Sequence, residues 1–307
     1  MRRTAISTAA AISLAAAATL TATGAHASYP GANGRLAFGL ASTATGQSDV
    51  YSILPNGRGL RRLTTYDGQD ACATYSPDGH SIAWCTPRGN THGGADIWVM
   101  KQNGTDQRRV TDLGGNVTFP DFSPAGDSLV FAGRPAGFTN PDIWTIGLDG
   151  TGLTQLTTSP AMDQFPVYSP DGTKIAFRSN RTGTFQVWVM NADGSDQHLL
   201  TTDTSPKDQL PEWSPDGSRI AYAARSLATG LDIWVMNADG TDQHAVMADS
   251  GDTYGPAWSP DGTRIAYLDE TENTIETMDT EGNDVRVLYA GGMPSVPAWQ
   301  PRVDDEE

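Results

Sequence analysis

The chain has 307 residues, 38% of them hydrophobic, with 20 basic against 36 acidic side chains and a formal charge of −16. A surface this acidic repels nucleic acid and anionic membrane, so neither is an expected partner. Two cysteines cannot build a zinc site without histidine help, and His80, His92, His198 and His244 show no ligand-like spacing.

Residues 1–27 read as a secretory signal peptide. Arg2 and Arg3 open it, an Ala-rich apolar run follows, and "AHA" precedes Ser28. The run is too short and too broken by Ser and Thr to make a good membrane anchor. Processing there would leave 280 residues, 28–307, with 18 basic against 36 acidic side chains and a formal charge of −18. No second long apolar segment follows, so no membrane span is expected after signal removal. The expected location is extracytoplasmic: secreted, or periplasmic if the source cell has an outer membrane.

The folded part opens with "NGRLAF" at Asn33, "DVYSI" at Asp49, a "PNG" turn and "RRLT". Next comes "TYSPDGHSIAW", whose Ser76 recurs in "DFSPAGDSLVF" (Ser123), "VYSPDGTKIAF" (Ser169), "EWSPDGSRIAY" (Ser214) and "AWSPDGTRIAY" (Ser259). The intervals between these serines are 47, 46, 45 and 45 residues. "DVYSI" keeps step as "DIWVM" at Asp96, "DIWTI" at Asp142, "QVWVM" at Gln186, "DIWVM" at Asp232 and "TIETM" at Thr274. Each copy is followed by a Gly-containing turn and a short strand-like segment. The unit therefore reads strand, turn, strand, loop, strand, turn, strand, rich in β-branched and aromatic residues. Pro in "SPDG" presets a type I turn, its Asp suits an Asx-type hydrogen bond, and Asp-Gly in "NADG" suits a tight hairpin. Repeated in every unit, these aspartates are turn chemistry rather than catalysis.

Four short antiparallel strands per unit of about 45 residues describe a β-propeller blade. The aromatics on the second strand (Trp84, Phe131, Phe177, Tyr222, Tyr267) and third strand (Tyr51, Trp98, Trp144, Trp188, Trp234) are read as packing between blades. The first unit lacks an inner strand. The missing phrase is "VPAWQP", residues 296–301, at the other end of the chain. The expected fold is all-β: six four-stranded antiparallel blades over residues 28–301, the ring closed by the C-terminal strand completing the first blade. The acidic end, residues 302–307, is expected to be disordered. Counting outward from the "SPDG" turn makes Cys72 and Cys85 opposite neighbours on the first two strands of blade 2, and export makes a disulfide between them the expectation.

Through these repeats the chain resembles the TolB-like six-bladed propellers, built from WD40-like Pro-Asp repeats. The stretch "FRSNRTGTFQVWVMNADGS" from Phe177 is similar to that family's signature, and the resemblance covers roughly residues 29–301. TolB itself carries an extra N-terminal α/β domain. The short stretch between Ser28 and "NGRLAF" leads to the expectation of a propeller without it. The resemblance implies a binding habit, exercised by TolB toward peptidoglycan-associated partners in the periplasm.

For function, the two faces of the ring separate cleanly. The turns joining strands one to two and three to four are uniform and share one face, here the turn face. The two-to-three loops and the inter-blade links differ from blade to blade and share the other, the loop face, where recognition is expected. There Arg88, Arg134 and Arg225 are expected to form a broken basic rim suited to a partner's carboxylates. Asp70, Asn116, Asp163, Asp208 and Asp252 precede the inner strands and are expected to form a partial acidic ring at the channel mouth. The reading is a binding or scaffold module, expected to be monomeric, that engages a protein or cell-envelope glycan over that mouth. The alternative is an extracytoplasmic hydrolase or lyase using a channel metal. Against an enzyme, no G-x-S-x-G elbow occurs. No catalytic residue or cofactor is assigned, and a channel-bound divalent cation such as calcium is left open.

Overall fold

The structure, a computed structural model, describes residues 29–201, 209–226, 230–247 and 251–302. The signal peptide expected over 1–27, the acidic end beyond Arg302, and Asp208 lie outside the described residues. The described chain forms six antiparallel sheets, one per blade, arranged as a ring. Blade 2 shows the pattern: inner strand Ala71–Tyr75, then Ser81–Thr86, Asp96–Lys101 and an outer strand of two residues, Arg108–Arg109.

The ring closes through the C-terminus. Ala298–Arg302 pairs with the near half of Ala32–Ala41, and Met293–Pro294 pairs with its far end. Trp299 of this strand is buried, and its indole N–H donates to the Ala257 carbonyl of blade 6 at 3.1 Å. Gln300, standing where other blades have Ser, donates through Nε2 to the Gly79 carbonyl of blade 2 at 2.8 Å.

The repeated phrases do the work their chemistry suggests. In each "SPDG" turn the Ser hydroxyl donates to the Asp carboxylate, at 2.6 Å for Ser169–Asp171 and Ser214–Asp216 and 2.7 Å for Ser259–Asp261. The same hydroxyl accepts the backbone N–H that starts the next strand, Lys174 or Arg219, at 2.9 Å. Blade 3 reads "SPAGD", and Asp127 replaces the missing turn carboxylate, accepting from Ser123 at 2.9 Å. The outer strands, only two residues long in blades 1 to 4, are pinned by a second device. In blades 1 to 3 the Thr after the outer strand accepts a third-strand N–H and donates to the Asp at the start of that strand: Thr111 from Ile97 at 2.9 Å and to Asp96 at 3.1 Å. Thr64–Asp49 and Thr157–Asp142, both 3.3 Å, repeat it. Aromatic pairs lie across the second and third strands at Phe38–Tyr51, Trp84–Trp98, Phe131–Trp144, Phe177–Trp188 and Tyr222–Trp234. In blade 6 the third-strand partner of Tyr267 is Glu276, and the phenol donates to its carboxylate at 2.8 Å.

One feature of the inner strands departs from the regular count. In blades 2 to 6 the pairing of inner and second strands slips, and one residue at each slip has positive φ: Cys72, Phe119, Phe165, Leu210 and Gly255. These are β-bulges. The bulge corrects the register expected for the cysteines: Ala71, not Cys72, lies opposite Cys85. Both cysteines are buried thiols in this structure and belong to one apolar cluster.

Candidate functional site

The bulges matter because inner strands surround the channel. Cys72, Phe119, Phe165, Leu210 and Val296, from five blades, belong to one buried apolar cluster that also takes in Tyr254 of the sixth. The Phe119 and Phe165 rings lie 4.0 Å apart, centroid to centroid. At Gly255 (φ +65°) a Cβ would stand 1.9 Å from Val296 Cγ1, so glycine makes room for the neighbouring blade's valine. An apolar belt therefore rings the channel at mid-depth. A left-handed non-glycine residue is strained by about 1–2 kcal/mol, so four such residues persist only because burial over-determines them. A signal for the bulges was present. Pro120, Pro166, Pro211 and Pro256 each follow a bulge residue, and Pro has no N–H to give a central ladder.

At the loop-face mouth the expected acidic ring is not an open ring. Asp70 and Asp163 are fully buried. Asp163 is held by Arg181 at 2.7 Å, and Asp70 lies 3.6 Å from Arg88. Desolvation raises the Asp70 pKa, against the opposing pull of Thr64, Thr86 and Arg88. Asn116 and Asp252 serve the backbone, accepting the N–H of Ala95 and Leu231 respectively, each at 2.8 Å. Asp252 keeps an exposed side chain and sits 3.8 Å from Arg225.

The three arginines expected to form one rim have three different surroundings. Arg88 is a structural strut. It donates to Gln107 Oε1 at 2.6 Å and stacks over Tyr66 and Trp98, and Gln107 reaches back to the Leu63 carbonyl of blade 1. Arg181 repeats this in blade 4 with Gln197, Asp163 and Trp188. The rim expectation is corrected for Arg88: its guanidinium links blades and is not on offer. Arg225 is half-buried beside Asp252. Arg134 is exposed at the end of its strand. The loop that follows Arg134 carries Phe138, 42% exposed, its ring edge-on to Trp144 at 5.2 Å.

The comparisons with known proteins agree with this architecture. The TolB β-propeller domain model matches residues 6–140 and 93–303. The chain belongs to the TolB β-propeller domain family. Among solved structures, TolB from Acinetobacter baumannii is 22% identical over 88% of this chain and 67% of that one, with a TM-score of 0.76. A putative TolB from Agrobacterium tumefaciens is 18% identical over 85% and 91%, at a TM-score of 0.67. An oligogalacturonate lyase in complex with manganese is 16% identical over 86% and 75%, at 0.52. At these identities the likeness is one of fold. Among curated proteins, none matches the chain in sequence.

This TolB-family propeller has a different character on its turn face. Tyr29 reaches across the channel end there. Its hydroxyl donates to the Phe122 carbonyl of blade 3, and the side chain is buried beside Val167 and Trp213 of blades 4 and 5. Burial pushes its pKa well up, with Asp121, Glu212 and Tyr168 adding to the shift. No repeat announces Tyr29, and sequence reasoning missed it. A cleft of about 640 Å³ between blades 4 and 5 also opens on the turn face, lined by Asp171, Lys174, His198, Trp213 and Asp216. A smaller one of about 350 Å³ recurs between blades 5 and 6, so these clefts are the ordinary grooves between repeated turns. Among the described residues, no three His, Cys, Asp or Glu side chains gather to offer a cation site.

Proposed function

We propose that this TolB-family propeller is an extracytoplasmic binding module whose partner docks over the loop face, on the blade 3 loop beside the channel mouth. The signal-like residues 1–27 and the likeness to TolB support the location. The observation that carries the site is the contrast among loop-face arginines. Arg88 and Arg181 are bound into blade-to-blade struts, whereas Arg134 is exposed and the loop that follows it carries the exposed Phe138. Arginine and aromatic side chains, phenylalanine among them, are enriched at protein interfaces relative to the rest of the surface. The turn-face end of the channel is filled by the chain's own Tyr29, which leaves the loop face as the open approach. A protein surface with carboxylates fits this pair better than a neutral glycan, because the guanidinium fork matches a carboxylate.

The test is binding of purified envelope proteins and, separately, of peptidoglycan fragments to the parent and to the Arg134→Ala/Phe138→Ala variant. The expected result is protein binding by the parent, weakened at least tenfold in the variant with no change in melting temperature. Equal binding by both forms would move the site elsewhere. Binding of glycan alone would replace the protein partner.

A further inference from the structure

Cys72 and Cys85 form a pair that the binding function does not use. Cys72 occupies the belt position on the inner strand of blade 2, and Cys85 lies on the adjacent strand, next to the slip in register. They are 2% and 3% exposed and lie in the same buried apolar cluster. Blade 3 covers them: the backbone N–H of Phe119, the next belt residue, donates to the Cys85 Sγ at 3.3 Å. Thiol–disulfide exchange needs a thiolate and an approach path for a second sulfur. The folded ring denies both. Burial and the neighbouring Cys72 raise the Cys85 pKa well above that of an ordinary thiol.

We propose that Cys72 and Cys85 are joined by a disulfide that forms during folding, before blade 3 packs over blade 2, and that the closed ring then shields the pair in whichever state it was captured. In the oxidation each thiol gives up its proton and the Cys72 Sγ–Cys85 Sγ bond forms. The two electrons pass to a disulfide oxidant, a dithiol oxidoreductase of the exporting cell or oxidised glutathione, which leaves as two thiols. The bond ties the belt bulge to the neighbouring strand at the one blade of the five with bulges whose bulge residue is not followed by Pro, since Ala73 stands there.

Two measurements test this on the full chain. Protein exported by its host, denatured without reductant, is expected to show no free thiol by thiol titration. Two free thiols per chain would overturn the disulfide. Protein made in a reducing cytosol and folded there is expected to keep both thiols under oxidised glutathione, reacting about 100-fold more slowly than the same protein in urea, because reaction waits on opening. Equal rates in the native and unfolded protein would overturn the shielding, and the Cys85→Ala variant, with one thiol left at Cys72, separates shielding from pairing. Cys72 is expected to stay unreactive in that variant until the ring opens, and rapid native labelling of it would also contradict the proposal.

Discussion

Replacing Trp299 by Ala tests whether the chain end holds the ring together. Trp299 is 6% exposed, packs with Leu36, Phe38, Ala257 and Ala266, and joins blade 1 to blade 6 through its indole N–H. Removing a buried Trp side chain costs about 3–5 kcal/mol, and the hydrogen bond to Ala257 lies within that range of effects rather than beyond it. Taking about 4 kcal/mol, and roughly 2–4 °C per kcal/mol for a domain of this size, the melting temperature should fall by roughly 8–16 °C. Circular dichroism melts and urea titrations provide the assay, with Val287→Ala as control. Val287 is 57% exposed on the outer strand of blade 6 and should shift stability by no more than about 0.5 kcal/mol. Melting temperatures for Trp299→Ala and the parent within about 2 °C would refute docking of the terminal strand.

Two further outcomes follow from the belt and the outer-strand pins. Gly255→Ala should destabilise strongly, because Val296 Cγ1 occupies the space of the new Cβ, and adding Val296→Ala should recover part of the loss; strictly additive effects would mean that the two blades do not meet there. Burial pushes the Asp142 carboxyl up to about 6, with the Asp163 carboxylate adding to it. A carboxyl with a raised folded pKa stabilises the fold at low pH and loses that contribution as pH rises through about 6, whereas the turn carboxylates Asp171 and Asp216, with lowered pKa values, lose theirs as pH falls. Asp142→Asn should therefore remove part of the decline in melting temperature between about pH 4 and pH 6. Blade 4 already carries an amide, Gln186, at this position and donates from it to the Thr201 carbonyl. A pH profile identical to the parent's would contradict the assignment.

Much of the architecture is visible in the sequence because it is periodic. Turn chemistry recurs with each unit, and even the exception in blade 3 is readable, since Asp127 stands two residues beyond the place of the missing Asp. The closing strand is readable because "PAWQP" is a fragment of the same phrase. What escaped is whatever breaks period or depends on burial. Counting residues outward from a turn assumes an unbroken ladder, so it placed Cys72 opposite Cys85 and overlooked the bulge that puts Ala71 there. Arg88, Arg134 and Arg225 occupy similar offsets in their repeats, but only the fold tells a strut from an exposed side chain. Gln107 and Tyr66 come from different turns of the chain and close on Arg88 only when the blades stack. Tyr29 is a single aromatic with no counterpart, and its place follows from the path of the N-terminal segment across the channel end.

The central claim is that partners meet the loop face. Site-specific photocrosslinking tests it most directly. A photoreactive residue at Phe138 reports on the loop face, and one at the exposed turn residue Asp239 reports on the other, each in the full chain exposed to envelope fractions of the source cell. The account predicts a discrete adduct from position 138, abolished by Arg134→Ala, and none from position 239. An adduct from position 239 with none from position 138 would contradict it.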